Sequence, residues 1–180
     1  ALARLDENGA ASYTFDLEWA PAAPIEVPET AQILEAGSIS AIIEPGASAV
    51  LDALTRGREH ALVFFDPNAR PSIMGEPAVA LVSLERFIAL ADVVKVSDED
   101  IEWLTGGAPI DKVVDRWLRL GPSLVVVTRG KHGSDVATAS GVRFTKTPSD
   151  VKVVDTVGAG DSFMGGMIDA MWGMGLRGAD

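Results

Sequence analysis

Three short apolar runs constrain this chain more than any other feature. Residues 61–65 (ALVFF), 92–96 (DVVKV) and 124–128 (LVVVT) are each five residues long, without strict apolar–polar alternation. Such runs suit strands buried on both faces, as in a parallel sheet covered by helices. Segments with helical periodicity lie between them. Residues 47–55 follow the turn at Pro45 and Gly46, and residues 78–90 place Val79, Val82, Leu84, Phe87 and Ile88 on a helix. A further helix is expected from Ser97 or Asp98, with Glu99 and Asp100 in a first turn where acids suit the dipole. Gly106 and Gly107 stop it. Ile110, Val113, Val114, Trp117 and Leu118 form the stripe of the next helix, which Gly121 and Pro122 end. Strands are also expected at 11–16, 31–36, 135–139 and 142–146, and an extended loop at 19–30, which holds three prolines. A last helix begins near Gly160. Its stripe of Phe163, Met164, Met167, Ile168, Met171 and Trp172 is expected to be core, as are Trp103 and Trp117. The pattern predicts an α/β fold with a mainly parallel sheet, with α+β as the alternative.

Composition removes several functions. The 180 residues carry a net charge of −11, and residues 1–60 hold ten acids against three bases. An acidic chain without a basic stretch is a poor partner for nucleic acid or an anionic membrane surface. No apolar run approaches the ~20 residues of a membrane helix. The start, ALARLDENG, lacks the apolar core of a signal peptide, so a cytoplasmic location is expected. There is no cysteine, which excludes disulfides and thiol chemistry, and two histidines, His60 and His132, cannot form a three-histidine metal site.

Open α/β sheets bind ligands beyond the carboxyl ends of their strands. Residues 66–70, 97–100, 128–133 and 155–161 each follow an expected strand. The last segment opens DTVGAGDSFMGG. Gly158, Ala159 and Gly160 are three small residues directly before a helix, where free N–H groups and the dipole favour an anion. Asp161 follows in the first turn. A carboxylate beside a bound phosphate makes chemical sense as the acceptor of a proton from an attacking nucleophile. Gly-x-Gly before a helix is also common punctuation, and Asp in a first turn is ordinary capping. There is no GxxxxGK[ST] motif, so a P-loop is excluded. A dinucleotide-dependent oxidoreductase is disfavoured, since no later strand brings a ribose-binding acid.

DTVGAGDSFMGG resembles the C-terminal signature of the ribokinase-like (PfkB) carbohydrate kinases. FFDPNARPSIM, ADVVKVSDEDIEWLTG and LVVVTRGKHGS are similar, in order and spacing, to further segments of that family, closest to bacterial fructokinases. The resemblance implies a ribokinase-like three-layer α/β/α domain over residues 31–180, incomplete, with residues 1–30 a partial strand of a small β lid and a linker. It implies an ATP-dependent sugar kinase, fructokinase first and 2-keto-3-deoxygluconate kinase next, using Mg2+ and K+. It matches Asp161 to the catalytic base and a substrate contact, and Gly158, Ala159 and Gly160 to the anion hole. Ser97, Thr128, Gly130 and Gly133 match nucleotide-binding positions, and Asn68 and Arg70 match substrate-side positions. Asp155 and the Val157 carbonyl match a potassium site, and Asp100 a position linked to magnesium. Ser97 and Asp100 stand where many relatives have Asn and Glu. Three of these also have a plain structural reading: Asp100 as a cap, Asn68 as a turn residue, Arg70 as a surface ion-pair partner. Family chains begin earlier, with a Gly-Gly…Asn sugar motif, and continue with further helices, so this chain is expected to be truncated at both ends. A small-molecule sugar, a homodimer through the lid, and no nucleic acid or membrane are the implied partners. The competing reading is a nucleotide-binding fragment that is catalytically incomplete.

Overall fold

The computed structural model describes residues 2–5, 11–14, 17–148 and 156–176. Two strands, β1 (Leu2–Leu5) and β2 (Ala11–Thr14), pair antiparallel as a separate small sheet. The main sheet has six strands in sequence order: β3 (Ile33–Gly37), β4 (Leu62–Asp66), β5 (Val93–Ser97), β6 (Leu124–Thr128), β7 (Ser134–Thr138) and β8 (Arg143–Lys146). The pairings from β3 to β6 are parallel and the two beyond β6 are antiparallel. The α/β expectation therefore holds.

Helix α1 (Gly46–Gly57) follows β3, α3 (Pro77–Ile88) follows β4 after a single turn, α2 (Pro71–Met74), and α4 (Asp98–Thr105) and α5 (Ile110–Leu118) both lie between β5 and β6. α6 (Ala159–Gly173) closes the described chain. Side chains alternate between the sheet's two faces, because successive Cβ atoms point oppositely along a strand. Leu34, Val63, Phe65, Val94, Val96, Val125 and Val127 join a core built with α1, α3, α4 and α5. Phe65 stacks on Phe87 of α3 with ring centroids 5.5 Å apart. Trp117 is wholly buried and its indole N–H donates to Glu85 Oε1 at 3.1 Å, so its one polar group is satisfied. The other face is smaller. Phe64 and Val93 pack there with Met164, and Ile33, Leu62, Leu124, Met167, Ile168 and Met171 are partly buried against them. Three layers result, with the sheet in the middle.

Two expectations about the ends of the chain need correction. A strand at 2–5, which the sequence reading left unassigned, pairs with β2. The α6 stripe is only half core. Met164 is buried, but Phe163 is 39% and Trp172 43% exposed. A helix of 15 residues that meets the sheet along one narrow line buries the residues on that line and leaves their flanks accessible. No helix among the described residues is long and apolar enough to cross a membrane.

Candidate active site

The parallel strands all end at one edge of the sheet, and the head of α6 faces that edge over β4 and β5. Gly158 caps α6 in the left-handed region, with φ 71°, and no side chain caps the helix. A Cβ at Gly158 would meet nothing within 4 Å, so the first turn opens onto free space, and the Ala159 N–H turns back to the Thr156 carbonyl at 3.1 Å. Asp161 stands in that turn. Opposite it, β4 ends at Asp66 and the chain turns sharply, with Asn68 at φ 38°. Asp66 Oδ1 accepts the Asn68 N–H at 3.2 Å, and the Ser38 hydroxyl donates to the Asn68 carbonyl at 3.0 Å. The Asn68 side-chain amide then approaches Asp161 Oδ1 at 3.5 Å, the outer limit of a hydrogen bond. A cavity of about 670 Å³ lies between these walls, with Glu35, Ser38, Asp66, Asn68 and Asp161 among its polar lining. Trp19, Leu34, Val50 and Ile168 supply apolar lining. A few converging polar groups on an apolar wall suit a polar small molecule.

Charge is concentrated beneath this cavity. Asp66 and Lys95 are both buried, and Lys95 Nζ donates to Asp66 Oδ2 at 2.7 Å. Glu35, Asp66 and Lys95 lie on the sheet face that carries α6, since Ile33, Phe64 and Val93, two residues before each in its strand, pack against that helix. Burial pushes the Asp66 carboxyl up, and Lys95 pulls it partly back. Glu35 is accessible from the open cavity, yet burial on its other side, with Asp66 and Asp161 nearby, also holds its carboxyl above the ordinary range, while Lys95 opposes this.

Several expected site residues are brought together here and others are not. Asn68 and Asp161 share the cavity. Arg70 stands beside it rather than in it: its Nη1 donates to Asn68 Oδ1 at 2.6 Å and to the carbonyls of Asn68 and Ala69. Ser97 and Asp100 form a reciprocal capping box on α4. Asp100 also accepts the Ala69 N–H at 3.0 Å, linking the Asn68 loop to α4. Thr128 closes β6 beside Ser97 and its hydroxyl donates to the Val96 carbonyl at 3.3 Å. Gly130 and Gly133 follow in a tight turn at positive φ. Ser97, Thr128, Gly130 and Gly133, expected on the nucleotide side, lie along the neighbouring stretch of the same edge, outside the cavity. Val157 is 90% exposed just before the head of α6. Asp155 lies outside the described residues. His132 is exposed, and His60 Nε2 is 3.1 Å from the Pro28 carbonyl.

Sequence reasoning missed Glu35, Asp66 and Lys95 as members of the site. The signal was available: a single charge inside an apolar strand, as in ILEAG or VVKVS, is costly unless partnered. Among the described residues no group of three or more metal-ligating side chains occurs.

The model of the pfkB family carbohydrate kinases matches residues 5–172. The chain belongs to this family. The fructokinase of Rhizobium leguminosarum bv. trifolii is 34% identical to this pfkB chain over 171 residues, covering 91% of the chain and 52% of the relative. The fructokinase of Klebsiella pneumoniae is 34% identical over 184 residues, covering 96% and 58%. The chain thus spans little more than half the length of these relatives. A crystal structure of fructokinase from Vibrio cholerae O395, in a form with fructose, ADP and calcium bound, superposes with a TM-score of 0.76 at 30% identity. It covers 94% of this pfkB chain and 57% of that one. These neighbours have the ribokinase-like α/β architecture described above.

Proposed function

We propose that the protein is an ATP-dependent sugar kinase and that fructose is its acceptor. The observation that carries this reading is Asp161, a carboxylate in the first turn of a helix whose head is open and capped by glycine, facing a cavity of about 670 Å³ in which a few polar groups converge on an apolar wall. A sugar hydroxyl presented to Asp161 gives up its proton as it attacks the γ-phosphorus. The helix head at Gly158, Ala159 and Gly160 would meet the developing charge with its dipole, the Ala159 N–H first leaving the Thr156 carbonyl it donates to at 3.1 Å. The Asn68 amide lies 3.5 Å from Asp161 Oδ1, on the side from which it would orient the carboxylate. Ser97, Thr128, Gly130 and Gly133 would take the nucleotide along the adjacent edge. Magnesium, carried on the nucleotide with Asp100 nearest it, would offset phosphate charge. Asp155 and the Val157 carbonyl would hold potassium. Residues 1–30 would form the lid and its linker, with 31–180 the catalytic unit, and the lid would be the dimer contact.

A keto-sugar acid is the second reading. Arg70 favours it, because among the described residues only its Nη1 is engaged, which leaves the rest of the guanidinium for a carboxylate. The test is ADP formation with Mg-ATP, potassium and a panel of sugars, followed by identification of the phosphorylated product. Fructose-dependent ADP with a fructose phosphate as product is expected. Preference for 2-keto-3-deoxygluconate would select the second reading, and no ADP with any sugar would contradict both for this chain.

A further inference from the structure

The buried pair Asp66–Lys95 touches both halves of the cavity wall. Lys95 is 4% exposed in the middle of the sheet, and Asp66 is its one hydrogen-bond partner among the described residues. The ammonium also lies under the head of α6: a Cβ built on Gly160 would sit 2.9 Å from Nζ, closer than Cβ atoms approach other atoms. Gly160 is thus the residue of α6 that lies over the end of the Lys95 side chain. On the other side, Asp66 uses its second oxygen to accept the Asn68 N–H. One cation thus lies close beneath the helix that carries Asp161 and, through one carboxylate, is tied to the turn that carries Asn68. A cross-strand ion pair whose only purpose was neutrality would need neither contact. Burying such a pair is not in general a gain in stability over an apolar pair of similar volume.

We propose that Lys95 is a positioning residue for phosphoryl transfer: it sets the separation between the Asn68 turn and the head of α6 and so fixes Asn68 against Asp161. This rests on the sugar-kinase reading for its catalytic consequence but not for its geometry. Lys95 does not reach the reacting atoms. It acts through Gly160 on one side and through Asp66 and Asn68 on the other.

The informative variant removes both charges together. Lys95→Met alone would leave a buried carboxylate unpaired and confound folding with function. Lys95→Met/Asp66→Asn keeps volume and neutrality, and its thermal midpoint should remain near that of the parent protein. The proposal expects kcat to fall by roughly tenfold to a hundredfold, the scale of a misplacement of about 1 Å at a reacting centre. KM for ATP should change little, because the nucleotide edge is not touched. A folded double variant with unchanged kcat would overturn the positioning role and reduce the pair to a charge-neutral filler. So would a loss carried entirely by KM. A crystal structure of the double variant decides the geometry whether or not the parent protein phosphorylates a sugar. The separation of Asn68 and Asp161 should widen by about 1 Å or more. An unmoved Asn68–Asp161 contact would refute the inference, whereas a parent protein without sugar-dependent turnover would refute only the kinase reading.

Discussion

The carboxyl edge of the sheet is finished in two different ways. Over β4 and α6 the wall is held by buried and half-buried charge: Lys95 on Asp66, Asp66 on the Asn68 turn, Asn68 toward Asp161. Over β5 and β6 it is held by backbone geometry: the Ser97–Asp100 capping box, the Thr128 hydroxyl on Val96, and a turn with two glycines at positive φ. The first wall encloses the cavity and the second lies beside it. Side-chain charge fixes distances between elements far apart in sequence, since Asp66 and Lys95 are 29 residues apart. The capping box and the glycine turn fix mainly the local path, with one longer tie from Asp100 to the Ala69 N–H. An acceptor whose hydroxyl must meet one carboxylate needs the first kind of support. A nucleotide held largely through backbone groups at a strand end is served by the second.

This contrast predicts a graded set of outcomes. Lys95→Met alone should cost about 3–5 kcal/mol, the penalty of stranding a buried carboxylate, read as a lower denaturation midpoint. Asp66→Asn in addition should restore most of it. A small loss in the single variant would mean that water reaches Asp66 and that the first wall is not charge-held. On the second wall, Gly133→Ala should cost about 1–3 kcal/mol, because φ is 92° and the new methyl would meet the Lys146 carbonyl. Ser97→Ala should cost about 1 kcal/mol through the lost cap, again in chemical denaturation, with little effect on an acceptor-side KM.

The smallest expected effect is pH-dependent. The fold holds the Glu35 carboxyl above its ordinary value of 4.5. A raised acid favours the protonated state in the fold, so its contribution to stability is full at low pH and is lost as pH rises through the folded-state value. Glu35→Gln removes that loss. The thermal midpoint of the variant should therefore gain on the parent protein as pH rises from below 4.5 toward neutrality. A gap that closes over the same range would show that Glu35 is stabilised as a carboxylate.

The same contrast explains what could be read from the sequence. Strands β4, β5 and β6 were legible because five-residue apolar runs leave little choice, and α4 because its start carries acids and its end two glycines. Asp161 and the small residues before it were legible because the helix start is local. The plain structural reading of Asp100 as a cap was also local, and the structure adds Ser97 as its partner in a capping box. The Lys95–Asp66 pair was not assigned, because it depends on which strands are neighbours and which face each residue takes. The exposed flanks of α6, Phe163 and Trp172, were misjudged for a related reason: periodicity gives an apolar stripe but not the width of the surface that meets it.

The central claim is that Asp161 works as a base rather than as a helix cap. The direct measurement is Asp161→Asn, with sugar-dependent ADP formation and Mg-ATP binding determined on the same preparation. Turnover should fall by about 10²- to 10⁴-fold, the usual contribution of a general base, while ATP binding changes less than about threefold. Equal losses in binding and turnover, or turnover that survives the substitution, would contradict the account.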